Sequence, residues 1–314
     1  MKLNLFQKTA LLTVAATYFL IIVGSLVRVS GAGLGCPDWP KCYGLWIPPM
    51  HVEDVPVGFD TADFNAVKTW TEYVNRLVGV LIGLLITATL LFSLKYFKKQ
   101  PGLVAGSFGA FVLVIFQAWL GGQVVRSGLA EGMITLHMIM ALIIVTLLLF
   151  VAFKGIRKDY PSYLQTDSKK KIITVTAILL GLTLIQVVLG TQVREAIDSV
   201  KFAFPEMPRG EWLENVGWID QIHRTFSWLI LIPSIYLYRI IKQISASRVF
   251  YVLANVVLAF VGIQFLTGVL MAYAGMPGSS QVIHLLIACL MVGAQFLIIM
   301  AARESLPWEQ LEAK

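Results

Sequence analysis

Three of the four histidines in this chain, together with one asparagine, fall on a near-repeating grid: Asn75, His137, His223 and His284. Asn75 and His137 are 62 residues apart and His223 and His284 are 61 apart, while the two pairs are offset by 148 and 147. Each position lies near the start of a long apolar run. A histidine inside a membrane is costly unless it meets a partner or a cofactor. A duplicated pair of imidazoles on facing helices has the chemistry of metal or heme ligation, because a six-coordinate heme takes two neutral imidazoles at matched depth. His223 and His284 supply such a pair. In the other half His137 is the one strong ligand. Asn75 is a poor one, so a heme there is expected to be five-coordinate or weakly capped.

The elements that position these residues are transmembrane helices. A mean hydropathy of +0.76, 57% hydrophobic residues and 14% charged residues exclude an ordinary soluble domain. Runs of the roughly 20 apolar residues needed to cross a bilayer occur eight times, near 9–29, 72–94, 103–123, 134–153, 172–193, 219–238, 249–272 and 281–302. The first is too long for a cleaved signal and reads as a retained helix. With both termini cytoplasmic, the inner segments hold 16 of the 25 basic residues, including Lys98-Lys99 and Lys169-Lys170-Lys171, and the outer side holds 13 of the 18 acidic ones. The basic balance follows from this sorting and points to no nucleic acid partner.

Internal similarity organises the runs. Gly24-Ser-Leu-Val-Arg28, Gly122-Gln-Val-Val-Arg126 and Gly190-Thr-Gln-Val-Arg194 end the first, third and fifth, and Gly268-Val-Leu-Met-Ala272 is a decayed copy ending the seventh. Glu72-Tyr-Val-Asn75-Arg76 matches Asp220-Gln-Ile-His223-Arg224, and Gln117 through His137 parallels Gln264 through His284. The expected fold is all-α and polytopic: eight transmembrane helices in two pseudo-symmetric four-helix bundles, related as parallel repeats. Residues 1–158 form the N-terminal half and 159–314 the C-terminal half. All four grid positions then lie toward the outer face, covered by the long loop 30–71 and the intermediate loop 194–218.

Arg28, Arg76, Arg126, Arg194 and Arg224 cluster at that level, where forked guanidinium donors suit heme propionates; snorkelling to the headgroups is the plainer reading. Glu72, one helical turn before Asn75, reads as the most exposed candidate for acid–base work, against an ordinary helix-dipole role. Asp220 reads as structural and His51 as a surface residue. Cys36 and Cys42, six residues apart in an outer loop, are expected to form a disulfide, and Cys289 is expected to be core packing.

On these residues the chain resembles the heme A synthase family. The resemblance covers nearly its whole length: the helix plan, the Gly-x-Gly-x-Gly-Cys-Pro-Asp-Trp-Pro-x-Cys loop at 31–42, Glu72-Tyr73 with Arg76, and histidines 137, 223 and 284. It implies oxidation of a ring methyl of heme O to the formyl of heme A, with oxygen taken from water, for heme-copper terminal oxidases. It implies heme b held by His223 and His284, substrate heme on His137, an essential carboxylate at Glu72, and a cysteine pair at Cys36 and Cys42. Implied surroundings are membrane lipid, a heme O-producing farnesyltransferase, an electron acceptor and a further copy of the chain, in a plasma or inner membrane with the heme sites on the outer side. The family's second-helix motif reads Glu-x-x-His-Arg, whereas this chain has Asn75, so a diverged heme-binding paralogue stays open. A b-type cytochrome passing electrons to or from quinol is the alternative function. A transporter would need helices broken near the midplane, and Pro233 is the one proline well inside a run.

Overall fold

The computed structural model describes residues 3–130 and 132–312. Apart from two-residue strands at Tyr163–Leu164 and Leu306–Pro307, its regular structure is helical. The chain divides into two compact units, Met1–Val151 and Ala152–Lys314.

In the first unit, α1 (Leu5–Val29), α2 (Ala66–Ser93), α3 (Pro101–Arg126) and most of α4 (Met133–Ile156) carry the apolar runs. Local chemistry sets their starts. Asn4 accepts from Gln7 N at 3.1 Å while the Gln7 side chain accepts from Asn4 N at 2.9 Å, a reciprocal cap on α1. Asn65 accepts from Lys68 N at 3.0 Å to open α2, and Pro101 opens α3 where no N–H is needed. Ile82, Ile86, Ala110, Ile144 and Leu148 form the core, drawn from α2, α3 and α4. A buried Thr13–Thr89 hydroxyl pair at 2.9 Å joins α1 to α2.

The second unit contains α5 (Thr166–Ala203), α6 (Trp218–Phe226), α7 (Trp228–Lys242), α8 (Arg248–Tyr273) and α9 (Gly278–Arg303), with a short α10 (Glu309–Glu312). Its core runs through Leu179, Leu237, Phe250, Val257 and Ile298, and Gln295 donates to Thr183 Oγ1 at 3.0 Å between α9 and α5. Lys154 and Arg157 both pair with Glu304.

Two expectations change. Among the described residues seven single helices are long and apolar enough to span a membrane, where eight runs were expected. The run at 219–238 divides at Ser227 into pieces of 9 and 15 residues, each too short to cross about 30 Å of hydrocarbon alone. Pro233 cannot donate to Leu229 O and its ring crowds that carbonyl. α7 nevertheless runs through Pro233, and the break lies earlier, in a tightened turn with Ser227 N on Arg224 O at 3.3 Å and Ile230 N on Ser227 O at 3.1 Å. The expected loop 194–218 is also largely ordered. α5 continues to Ala203, and a 3-10 segment, Arg209–Asn215, packs Trp212 and Leu213 against Val193, Ile197 and Met276.

Candidate functional site

In the second unit the rings of His223 on α6 and His284 on α9 face each other with centroids 6.4 Å apart, inclined at 57°. Metal–imidazole bonds of about 2.0–2.1 Å place two rings sharing one ion about 6.3 Å apart, centroid to centroid. The centroid spacing of the pair matches that value. Close helix approach makes this possible: a Cβ on Gly190 of α5 would stand 3.1 Å from His223 Cε1, so any larger residue would press on the ring. Thr267 on α8 fixes the second imidazole. Its hydroxyl donates to Ile263 O at 2.8 Å and so accepts from His284 Nδ1 at 2.8 Å. That network puts the ring proton on Nδ1 and leaves the Nε2 lone pair for a ligand. His223 Nδ1 is buried without a hydrogen-bond partner among the described residues.

In the first unit His137 on α4 has the same relation to α3, with the Gly121 Cβ position 3.3 Å from its Cε1. Asn75 on α2 meets α1 at Gly24, whose Cβ would lie 3.7 Å from Asn75 Oδ1. That oxygen is buried and has no hydrogen-bond partner among the described residues. The other histidine of this unit, His51, is exposed beside the 3-10 turn Val52–Asp54.

Glu72 is only 4% exposed, which corrects its reading as the most exposed acid–base candidate. Its Oε2 accepts from Cys36 N at 2.8 Å, and its Oε1 accepts from Arg76 Nε at 3.2 Å and Nη2 at 2.5 Å. Arg76 Nη1 in turn donates to Asp38 O and Lys41 O, both at 2.8 Å. Cys36 and Cys42 are joined in a disulfide, Cα to Cα 4.8 Å, and are buried with Tyr43 against Phe59, Phe64 and Tyr73. Burial raises the Tyr43 phenol above its ordinary pKa of 10, keeping it neutral beneath the loop. The loop lies hard on the helices. A Cβ on Gly35 would fall 2.5 Å from Lys68 O, and one on Gly122, beside Gly121, 2.9 Å from Trp39. One carboxylate thus ties α2 to the disulfide loop, and the same loop covers α3 next to the glycine that faces His137.

The five arginines differ in their surroundings. Arg76 is engaged as above, Arg224 is 2.7 Å from Asp220, and Arg194 is 3.6 Å from Asp198. Arg28 is half-buried and Arg126 exposed. Cys289 is buried, as expected of a packing residue. Sequence reading passed over Thr267 and the histidine-facing roles of Gln117, Gln186 and Gln264. Their signal was a polar residue at one fixed register of otherwise apolar helices.

Comparison with known proteins gives a family. The COX15-CtaA family, described as cytochrome oxidase assembly protein, matches residues 7–296. A heme A synthase of Shewanella oneidensis is 26% identical over 227 residues, covering 67% of this chain and 63% of that protein. A heme A synthase of Flavobacterium johnsoniae is 23% identical, covering 88% of the chain and 92% of the relative. One from Bacillus mycoides is 24% identical over 97% and 96%. With seven apolar spanning helices and a match over nearly all its length, the chain is a multi-pass membrane protein of the COX15-CtaA family, the heme A synthase family that its motifs resemble.

Proposed function

We propose that the protein is a heme A synthase, an oxidoreductase that converts a ring methyl of heme O to the formyl of heme A for terminal oxidases. The observation that carries this reading is the asymmetry of the two units: a facing imidazole pair at 6.4 Å in one, and in the other a single histidine against Gly121 with an asparagine, against Gly24, in place of the second. In this reading His223 and His284 hold heme b and the first unit receives heme O at His137, with Asn75 on its other side. α6 and α7 act together as the eighth crossing, both termini are cytoplasmic, and the sites face the outer side of the plasma or inner membrane.

Heme b supplies a one-electron relay when bound, and the residues around it set its properties. Thr267 holds the tautomer of His284 and Gly190 admits the His223 ring. In the first unit Glu72 and Arg76 hold the disulfide loop in place with charge-assisted bonds, and the loop excludes water from the helix ends below. Glu72 is the carboxylate assigned to the reaction. Arg28 and Arg126 remain assigned to propionates, whereas Arg76 is assigned to the loop. An electron acceptor, the heme O-producing farnesyltransferase and a second copy of the chain are the proposed partners.

Pigment extraction after co-expression with a heme O source tests the function. Heme A in the extract is the expected result, and unaltered heme b alone would replace the synthase with an electron carrier. A second measurement probes the relay. Thr267→Val keeps the shape but removes the acceptor from His284, making the imidazole a weaker donor to oxidised iron. The midpoint potential of the low-spin heme is expected to rise by about 30–60 mV, a three- to tenfold bias in a one-electron couple. An unchanged potential in redox titration would detach Thr267 from the site.

A further inference from the structure

A glutamine crosses from the neighbouring helix to the backbone of every grid histidine. Gln117 Nε2 donates to His137 O at 3.0 Å, Gln186 Nε2 to His223 O at 2.9 Å, and Gln264 Nε2 to His284 O at 2.8 Å. Each stands four residues before a glycine of the same helix: Gly121, Gly190 and Gly268. Gly121, Gly190 and, at the remaining position, Gly24 face His137, His223 and Asn75, whereas Gly268 meets nothing within 4 Å. Four residues before Gly24, however, is Leu20, packed with the apolar core of the first unit. Glutamine and histidine are thus present together three times and missing together once.

General helix adhesion does not account for this pattern. A carboxamide in an apolar helix is costly to desolvate, and a crossing hydrogen bond recovers part of that cost wherever two helices meet. α1 and α2 are joined by the Thr13–Thr89 hydroxyl pair instead. Moreover, the Oε1 atoms of Gln117, Gln186 and Gln264 are all buried without a hydrogen-bond partner among the described residues. Gln295, which ties α9 to α5 through Thr183 Oγ1, has a buried Oε1 of the same kind, so this feature alone does not set the three apart. What the three share is the turn they grip, the one that bears an imidazole.

We propose that Gln117, Gln186 and Gln264 are positioning residues that clamp the helical turn of each heme-ligating histidine. The Leu20–Asn75 quarter, lacking both clamp and ligand, leaves one face of the substrate heme free. The proposal rests on the heme-ligation reading above. The carbonyl that accepts the carboxamide belongs to the same residue as the ring, so the bond restrains the histidine's Cα and the direction in which its side chain leaves the helix. Such restraint of a metal ligand is typically worth 10–100-fold in affinity.

The test uses the purified full-length chain with its bound heme. Gln186→Met and Gln264→Met preserve side-chain length and volume while removing the donor. Both are expected to fold, to release heme to an apo-globin acceptor about 10–100-fold faster, and to broaden or shift the low-spin EPR signal. In the first unit, Leu20→Gln with Asn75→His is expected to create a second low-spin bis-histidine heme, held more tightly than by Asn75→His alone. Met variants with parental heme release and EPR signal would overturn the clamp. So would equal heme retention in the single and double first-unit variants. A low-spin signal that survives both His223→Ala and His284→Ala would overturn the ligation reading itself, which separates that failure from a failure of the clamp.

Discussion

Alanine at His223 or at His284 is expected to remove the low-spin heme from the purified protein, with occupancy falling at least tenfold, while the helices stay folded. Two imidazoles whose centres stand 6.4 Å apart can share one iron, and neither alone completes the coordination. Folding should survive because the histidines are half-buried and stand outside the cluster of Leu179, Leu237, Phe250 and Ile298 that holds the second unit together. The two substitutions should fail in the same way, since a bis-histidine site loses its low-spin character with either ligand. His51→Ala is the control: that ring is exposed in the first-unit loop, and its loss should leave the spectrum as it was. Optical difference spectra, EPR and pyridine hemochrome quantitation read the result. A low-spin signal of parental intensity in either alanine variant would remove the pair from heme binding.

The facing of His223 and His284 was legible because an ionisable residue stands out in an apolar run, and both stand near the starts of such runs. The Cys36–Cys42 disulfide was legible for a similar reason: six residues of separation in a short loop leave the two thiols little room to avoid each other. The division of the sixth run into α6 and α7 was not legible because hydropathy is blind to a local backbone defect. Pro233 was visible, but it lies inside α7, and the break falls six residues earlier, at Ser227, where no residue type announces it. Glu72 was misread for a different reason. Its place at the start of an apolar run suggests a solvated first turn, yet α2 begins six residues earlier, at Ala66, and the folded-back loop covers the carboxylate. That contact joins residues 36 apart in sequence, and only the loop's path reveals it. Arg76 followed Glu72 into the same error, since a spacing of four shows that the two can pair but not that the remaining guanidinium donors are committed to Asp38 and Lys41.

Replacing Glu72 by alanine is expected to abolish heme A formation, by about 100-fold or more, while the heme held by His223 and His284 remains at parental occupancy. The carboxylate accepts from Cys36 N–H and from two nitrogens of Arg76, so its removal frees both the disulfide loop and a guanidinium that is almost wholly buried. Breaking a buried pair from one side costs about 3–5 kcal/mol. The low end applies here, because Arg76 keeps the carbonyls of Asp38 and Lys41. The loop should therefore loosen rather than unfold, and the disulfide, fully buried in the parent, should become accessible to a membrane-impermeant reductant. Glu72→Gln separates holding from chemistry. The amide oxygen still accepts from Cys36 N–H, so the loop should stay closed and the disulfide protected. If Glu72 works by holding the loop, Glu72→Gln retains a substantial fraction of heme A formation. If the carboxylate must take up or release a proton, Glu72→Gln is as inactive as Glu72→Ala despite a protected disulfide. Parental heme A content in Glu72→Ala would exclude the carboxylate from both roles.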